Sequence, residues 1–263
     1  LVNIGGTVIS TISDIHFGTG AATLTSNSEV DSSGGTITFG GTLDGDAGGE
    51  NLTLTAGTGD IDFDAAVGTT RLGDVLVNSV ATMTADAGFD AASFEQTAGS
   101  VATTFTGALD VTNDVTITDG TDVTFSSTVN ATEISQVAGS GTTTFDGAVT
   151  TSGANGVDVT NGDIDLNNTI TTAGGGTVDL DADTGDLDIA AAGDISADGA
   201  VTLSAGAGAI NTAGDVTTTD DNITFSHATV LTGNVAVSSD AGAGTITFGD
   251  TLDGTFNLAL TAG

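Results

Sequence analysis

The amino-acid sequence predicts an all-β fold, a parallel β-solenoid with coils of about 20 residues. Three observations predict it. Short apolar–polar alternations run along the whole chain, several segments repeat, and small residues dominate a chain that has 40 Gly and no Pro, Cys, Trp or Tyr. A solenoid suits this composition because each coil stacks like residues on like residues, so small aliphatic side chains fill its narrow core. The absence of Pro agrees, since a strand paired on both sides cannot lose a hydrogen-bond donor.

The predicted strands are short runs in which apolar residues alternate with Thr or Asp. In Ile37-Thr38-Phe39 the apolar side chains face one way and the threonine the other, because successive strand residues point to opposite sides. The same pattern occurs at 52–54, 61–63, 115–117, 123–125, 178–180, 187–189, 201–203 and 223–225. Gly, Asn, Asp and Ser bound these runs and supply the turns. Alternation places eight residues in the core and three glycines at turns: Ile37, Phe39, Leu52, Leu54, Phe105, Phe145, Ile246 and Phe248 inward, and Gly40, Gly107 and Gly147 at turns.

Repeats at several scales support a stacked architecture. Residues 35–57 are restated at 244–263, with GTITFGGTLDG matching GTITFGDTLDG at an offset of 209 residues and NLTLTAG matching NLALTAG. A shorter echo relates 96–112 to 136–152, with nine of seventeen positions identical at an offset of 40 residues. The motif Gly-Asp-(Ile/Leu)-Asp-apolar occurs at 59–63, 162–166 and 185–189. Fixed periods of this kind mark repeat proteins, and the 40-residue echo divides into two coils of about 20 residues.

The domain organisation that we expect is one continuous β-repeat segment over residues 1–263, because no linker or shift in composition divides it. Both ends fall inside strand-like or repeat-like sequence, which indicates a piece of a longer chain or fibre. Gly57 and Gly263 occupy equivalent points, so the coil pattern can continue either covalently or by end-to-end stacking of copies into a filament. Tandem antiparallel β-sandwich modules are the alternative architecture.

Charge and composition exclude several functions. The chain has 35 Asp and Glu against a single cation, Arg71, for a formal net charge of −34. One Arg cannot neutralise the phosphates of a nucleic acid. No apolar run approaches the roughly 18–20 residues of a membrane span. The lack of Cys excludes disulfides and thiolate-bound metals.

Three segments carry a family resemblance. GTITFGGTLDG, NLTLTAGTGDIDFDAAVGTTRLGDVLV and QVAGSGTTTFDGAVTTS resemble the β-strand repeats of giant bacterial surface proteins, the filamentous-haemagglutinin-like and autotransporter-like adhesins. The resemblance covers essentially the whole chain and attaches no functional residue. It implies a secreted or surface-exposed rod, often part of a much larger polypeptide. The chain departs from this family in its acidity and in its near absence of Lys and Arg.

The densest acidic stretch, residues 178–188, is the candidate metal site. Its possible Ca²⁺ ligands are Asp179, Asp181, Asp183, Asp186 and Asp188. Alternation places the first three on one face and the last two beyond a turn at Gly185, and Ca²⁺ prefers carboxylate and carbonyl oxygens. The stretch matches neither an EF-hand loop nor the Gly-rich Ca²⁺ nonapeptide. The alternative is a solvated outer face with diffuse counter-cations, on which carboxylates at equivalent positions stack about 4.8 Å apart. No cofactor is required.

The sequence shows no constellation for catalysis. Arg71 stands alone, Asp is too abundant for any carboxylate pair to be informative, and His16 and His227 lie far apart, with His16 expected to face outward. No Ser lies in a G-x-S-x-G elbow. Thr-x-Thr pairs such as Thr36/Thr38 are too irregularly spaced for an ice-binding array and are good outward strand residues. We therefore expect a structural extracellular or cell-surface rod, stalk or fibre segment that does no chemistry; the alternative is an acidic, Ca²⁺-dependent adhesin module.

Overall fold

The computed structural model describes all residues, 1–263, and contains strands and turns without a helix. The chain forms two compact units, residues 1–131 and 132–263. Within each unit the strands pair in parallel with strands one coil away, as Ile37 pairs with Ile61 and Thr142 with Asp163. The predicted parallel β-solenoid is thus confirmed, and the antiparallel sandwich alternative is wrong. The prediction of one continuous segment stays a prediction.

The first unit contains fourteen strands, with up to three of them in a coil. They are β1 (Val2–Ile9), β2 (Ile15–His16), β3 (Ala22–Asp31), β4 (Ile37–Phe39), β5 (Leu43–Gly45), β6 (Leu52–Thr55), β7 (Ile61–Phe63), β8 (Val67–Ala85), β9 (Phe89–Gln96), β10 (Gly99–Phe105), β11 (Leu109–Val111), β12 (Asp114–Ile117), β13 (Asp122–Phe125) and β14 (Val129–Ala131). The longer strands β3, β8 and β9 continue through corners and pair with more than one strand of a neighbouring coil.

The second unit repeats the three-strand coil with shorter strands. They are β15 (Glu133–Gln136), β16 (Thr142–Phe145), β17 (Val149–Thr151), β18 (Val157–Asn161), β19 (Asp163–Leu166), β20 (Ile170–Thr172), β21 (Val178–Ala182), β22 (Leu187–Ile189), β23 (Ile195–Ala197), β24 (Val201–Ala205), β25 (Ile210–Thr212), β26 (Val216–Thr218), β27 (Ile223–Phe225), β28 (Thr229–Leu231), β29 (Val235–Ser238), β30 (Ile246–Phe248), β31 (Leu252–Gly254) and β32 (Leu258–Thr261).

The coil period is about 21 residues, close to the predicted value. Paired residues are 20 apart for Phe105 and Phe125 and 23 apart for Val178 and Val201. The variation is taken up at the corners, because the paired strands keep their inward residues in register. The two copies of the restated segment each form three consecutive strands, β4 to β6 in the first unit and β30 to β32 in the second.

The core consists of the inward-facing apolar residues. Ile37, Phe39, Leu52, Leu54, Phe105 and Phe145 are at most 1% exposed, as alternation predicts. Ile246 and Phe248 face the same way but are half-buried, because β30 pairs with a neighbouring strand on one side only. Gly107 and Gly147 lie at bends between strands, and Gly40 directly follows β4.

Stacked rings run through part of this core. In the first unit the ring of Phe39 lies 4.6 Å from Phe17 and 5.1 Å from Phe63, with nearly parallel planes. In the second unit Phe225 and Phe248 are stacked at 4.7 Å. Register places these phenylalanines one coil apart, so their rings stack on one another across the coil interface.

The chain contains no helix with the length and hydropathy of a membrane span.

Candidate functional site

The Gly-Asp-apolar-Asp-apolar motif forms a corner followed by a strand in all three of its occurrences. It builds β7, β19 and β22, and its two apolar residues are buried in each. The first Asp directly precedes the strand or, as Asp163 does, begins it, and the second Asp lies on the outer face of the strand. The two carboxylates of each motif therefore have different surroundings and different roles.

The first carboxylate of the motif hydrogen-bonds to the next coil. Asp163 Oδ1 accepts a hydrogen bond of 2.9 Å from the backbone N–H of Asp186. Asp186 Oδ1 in turn accepts one of 2.7 Å from the N–H of Ala209. In the first unit Asp60 Oδ1 accepts one of 3.1 Å from the N–H of Thr82. We call this contact a coil cap: a side-chain oxygen accepts a backbone N–H of the following coil.

Coil caps recur along both units, and all but one run from an Asp, Asn or Glu to a residue 21 to 26 positions later; the exception is Thr172, whose hydroxyl accepts the Asp198 N–H. The acceptor and donor pairs are Asp14 and Thr36, Asn27 and Asn51, Asp44 and Thr70, Asn51 and Asp74, Asp60 and Thr82, Glu133 and Asn155, Asp163 and Asp186, Asp186 and Ala209, Asp194 and Asp215, Asp215 and Ala236, Asn222 and Thr245, and Asn234 and Asn257. Most of the acceptors directly precede the first inward residue of a strand. They accept hydrogen bonds from backbone N–H groups at the corners, which have no partner in the pairing of the strands.

The second carboxylate of the motif faces solvent beside other carboxylates. Asp165 lies opposite Asp188 in the pairing of β19 with β22, and Asp158 lies opposite Asp179 in the pairing of β18 with β21. The predicted stacking of carboxylates is therefore present. Burial raises the pKa of Asp165, and the charges of Asp188, Asp163 and Asp146 raise it further.

Two more outward carboxylates have raised pKa values. Burial raises the pKa of Asp179, and the Asp158 and Asp181 charges add to the effect. Burial also raises the pKa of Asp62 in the first unit, although the Thr84 hydroxyl donates a 3.0 Å hydrogen bond that favours the charged form. Half-buried carboxylates among like charges are the cost of stacking acidic positions on one face.

The five candidate Ca²⁺ ligands are distributed over two strands and the bend between them. Asp179 and Asp181 lie on the outer face of β21, Asp183 lies in the bend, and Asp188 lies on the outer face of β22. Asp186 is occupied as a coil cap, and Asp188 Oδ1 accepts a 2.7 Å hydrogen bond from the Asn211 amide. No group of three or more His, Asp or Glu side chains in the chain converges as a metal-binding set.

Arg71, the single cation of the chain, ties together two later coils. Its Nη1 donates hydrogen bonds of 2.9 Å to the Ala91 carbonyl and 2.8 Å to the Asp110 carbonyl, and Nη2 lies 3.4 Å from Asp110 Oδ2. The segment that carries it is irregular: register shifts between Val67 and Leu72, and Gly68 has a φ of +77° with no room for a Cβ against the Asp90 carbonyl. Arg71 thus holds an irregular corner of β8 against the coils that follow it. We call this set of contacts the Arg71 clasp.

The charge of Arg71 also offsets the acidity of its surroundings. Burial raises the pKa of Asp90, Arg71 lowers it, and the charge of Asp110 opposes Arg71 by raising it. The side chain of Arg71 is 35% exposed, so the guanidinium lies against the protein surface. Beyond the uniqueness of the residue, nothing in the sequence indicates this role.

Buried Gln–Thr pairs occupy the 40-residue echo. Thr103 Oγ1 donates a 2.7 Å hydrogen bond to Gln96 Oε1, and Thr143 Oγ1 donates one of 2.7 Å to Gln136 Oε1. Both glutamines are at most 2% exposed. The repeated Gln and Thr, seven residues apart, are visible in the sequence. Alternation alone does not show that the last residue of each strand, a glutamine, points into the core.

The two histidines have separate surroundings. His16 faces outward as predicted, with a side chain 60% exposed and its Nε2 3.9 Å from Asp14 Oδ2. His227 Nδ1 lies 3.2 Å from Ser204 Oγ and accepts a hydrogen bond of 3.3 Å from the Ala205 N–H. His227 therefore joins its coil to the preceding one, in the direction opposite to that of the coil caps.

A surface groove of about 540 Å³ lies in the first unit. Its lining includes Asn51, Asp74 and Ser93, and Ser93 Oγ donates a 2.7 Å hydrogen bond to Asp74 Oδ1. Asn51 caps Asp74, so the groove is bordered by residues that already join successive coils.

No protein-family model, curated protein or solved structure matches this chain.

Proposed function

We propose that the chain is a structural rod, stalk or fibre segment of a bacterial surface or secreted repeat protein, and that it does no chemistry. The coil caps carry this proposal. A large share of the acidic and amide side chains that the sequence offers for binding or catalysis are engaged in joining one coil to the next, as Asp163, Asp186 and Asp215 are. Residues used in this way stiffen a stack of coils.

The distribution of charge supports the same role. Stacked carboxylates such as Asp165 with Asp188 give strongly acidic outer faces, which oppose side-by-side association of copies. Such faces favour an environment rich in counter-cations, which agrees with an extracellular location. The resemblance of the repeats to adhesin stalks supports that location independently of the charge.

The proposal also includes assembly by the stacking of further coils onto those of this chain. The strand pattern of residues 35–57 is restated at 244–263, so coils of this kind succeed one another without a change of register. We propose that the partner of the chain is further repeat sequence of the same kind, joined covalently or as another copy. Sideways thickening then requires Ca²⁺ or high salt to screen the acidic faces.

Electron microscopy of the purified chain at low and high ionic strength tests this proposal. We expect an extended particle of single-coil width at low salt, with lateral thickening when salt or Ca²⁺ is raised. A compact, monodisperse globular particle under both conditions would overturn it.

The acidic, Ca²⁺-dependent adhesin module is the second candidate. The observation in its favour is the pair of carboxylate ladders, Asp158 with Asp179 and Asp165 with Asp188, on neighbouring strands of the same coils. Calorimetry with Ca²⁺ and EDTA separates the two roles. Saturable, stoichiometric binding with a raised Tm supports the adhesin module, whereas a weak drift equal to that produced by Na⁺ at the same ionic strength supports the rod.

A further inference from the structure

A groove follows one corner of the coils through the first unit. It consists of two hollows, of about 540 Å³ and about 330 Å³, which are continuous because Asn51 and Thr53 line both of them. The smaller hollow reaches Thr7 in β1, and the larger one reaches Asp114 in β12. The groove therefore crosses successive coils and runs in the direction in which the coils stack.

The floor of the groove carries one outward-facing apolar side chain among polar ones. The outward residues of successive strands pair in the order Thr7, Glu29, Thr53, Leu76 and Glu95. Val75 and Val77 fill the core, so Leu76 lies on the outer face of β8, where it is half-buried. An apolar side chain in this column contributes nothing to the core and is available to a ligand in the groove.

The groove is acidic and contains no cation. Glu29, Asp74, Glu95 and Asp114 line it, whereas Arg71 is held elsewhere by two backbone carbonyls. Glu29 and Glu95 are exposed, and neither carboxylate belongs to an ion pair of the chain. Carboxylates along a groove concentrate the negative potential there, which favours a positively charged ligand.

Hydrogen bonds between coils hold the border of the groove in place. Asn27 Oδ1 accepts a 3.0 Å hydrogen bond from the Asn51 N–H, and Asn51 Oδ1 accepts one of 2.9 Å from the Asp74 N–H. Asp74 Oδ1 accepts one of 2.7 Å from the Ser93 hydroxyl. Four successive coils are joined in this way, so the groove is formed before any ligand arrives and loses little conformational entropy on binding.

We propose that this groove binds an extended peptide segment with two cationic side chains, Lys or Arg, four residues apart and an apolar residue midway between them. Glu29 and Glu95 lie three coils apart, which is about 14 Å at roughly 4.8 Å per coil. Residues i and i+4 of an extended chain lie on one side and span about 13 Å at roughly 3.3 Å per residue. The two cations pair with Glu29 and Glu95, and the central residue lies against Leu76. This inference goes beyond the proposed structural rod and does not depend on it.

The lining disfavours other linear ligands. The carboxylates repel an anionic polymer, such as a nucleic acid or an acidic polysaccharide. A neutral polysaccharide gains nothing from the charges, and no aromatic residue lines the groove to stack on its sugar rings. A basic peptide uses the carboxylates and the apolar side chain together.

Two capped pentapeptides test the proposal by titration into the whole chain. The cationic probe is Lys-Thr-Leu-Thr-Lys, and the neutral probe is Gln-Thr-Leu-Thr-Gln. We expect the cationic probe to bind at one saturable site and to shift the NMR signals of the Leu76 methyl groups. We expect its affinity to exceed that of the neutral probe at least about fivefold at about 0.15 M salt, where distant charges are screened.

Variants of the groove separate this site from the general acidity of the surface. Glu29→Gln/Glu95→Gln keeps the size of both side chains, and we expect it to weaken binding of the cationic probe at least about fivefold. Asp158→Asn/Asp188→Asn is the matched control, since it removes the same charge from the second unit. We expect the control to change the affinity by less than about twofold. Thermal unfolding verifies that both double variants are folded.

A third variant tests the apolar contact. We expect Leu76→Thr to weaken binding of the cationic probe about threefold and to leave unchanged the binding of a probe with Ser in place of the central Leu. Equal losses in the two double variants would overturn the proposal, because cations would then collect anywhere on the acidic surface. Binding of the neutral probe, or of a neutral oligosaccharide such as maltohexaose, as tight as that of the cationic probe would also overturn it.

Discussion

Asp163 and Asp186, the first carboxylates of two successive motifs, are joined by a 2.9 Å hydrogen bond from the Asp186 N–H to Asp163 Oδ1. The acceptor belongs to one coil and the donor to the next. The contact costs no strand pairing, because it uses a corner N–H. It also requires no negative charge, since Asn27, Asn222 and Asn234 accept the equivalent hydrogen bond with an amide oxygen.

Removing the cap is expected to destabilise the second unit. Asp163→Ala leaves the Asp186 N–H without its acceptor, which costs about 0.5–1.5 kcal/mol. Asp163→Asn retains the oxygen and removes a charge beside Asp165, so we expect it to be at least as stable as the native chain. Urea unfolding measures both variants. Equal losses in the two variants would show that the charge, and not the hydrogen bond, matters at this corner.

The sequence predicts the strands and the core well, because alternation of period two is a local property. Ile37 and Phe105 need only their immediate neighbours to be assigned inward, and both are buried. The caps are not local. Asp44 caps a residue 26 positions later and Asp194 one 21 positions later, so the register depends on how much chain each corner absorbs.

The candidate metal site shows the same limit. Alternation assigns Asp179 and Asp188 to outer faces correctly. It does not show that Asp186 binds the next coil, or that Asp158 and Asp165 join the acidic surface from the coil before. The available signal was the Asp directly before the first apolar residue of a strand, which the repeated Gly-Asp-apolar-Asp motif contains at Asp60, Asp163 and Asp186.

The raised carboxylate pKa values predict a pH dependence of stability. The pKa values of Asp165 and Asp179 in the folded protein lie above the ordinary value of 3.8. At pH values between the ordinary pKa and the raised pKa, the folded protein binds more protons than the unfolded chain. The charged forms of Asp165 and Asp179 therefore lower the free energy of unfolding at neutral pH. Their penalty disappears as the pH falls through the folded pKa.

The double variant Asp165→Asn/Asp179→Asn isolates this effect from the other carboxylates. We expect it to be more stable than the native chain at neutral pH, with the difference shrinking towards zero at about pH 3, where the native carboxyls are protonated. Urea unfolding across that range measures the difference. Asp194→Asn, which replaces a coil-cap carboxylate by an amide that keeps the acceptor oxygen, is the matched control. A difference in stability between the double variant and the native chain that stays constant with pH would contradict the raised pKa values of Asp165 and Asp179.

Burial of the Phe cluster predicts a large effect of one substitution. Phe105 lies 5.1 Å from the ring of Phe94, 5.6 Å from Phe89 and 5.7 Å from Phe125. Phe105→Asp places an unpaired charge among these rings and is expected to cost about 3–5 kcal/mol. Phe105→Leu keeps an apolar residue and is expected to cost about 1–2 kcal/mol. An unchanged unfolding midpoint for the Asp variant would show that position 105 does not face the core.

The clasp made by Arg71 predicts resistance to trypsin. Arg71 is the single tryptic residue of the chain; its guanidinium is held by the carbonyls of Ala91 and Asp110, and the residue after it, Leu72, is paired with Ala91. A protease needs the bond after Arg71 in an unpaired, extended segment, so cleavage requires local unfolding of β8. We expect the folded chain to resist trypsin and the urea-unfolded chain to yield two fragments, 1–71 and 72–263. Arg71→Lys keeps a tryptic site but has a single nitrogen, which cannot hold the two carbonyls and the Asp110 carboxylate together as Nη1 and Nη2 do, so we expect it to be cut faster. Cleavage of the native chain as fast as the unfolded one, read by mass spectrometry over time, would show that β8 opens freely and that the clasp does not hold it.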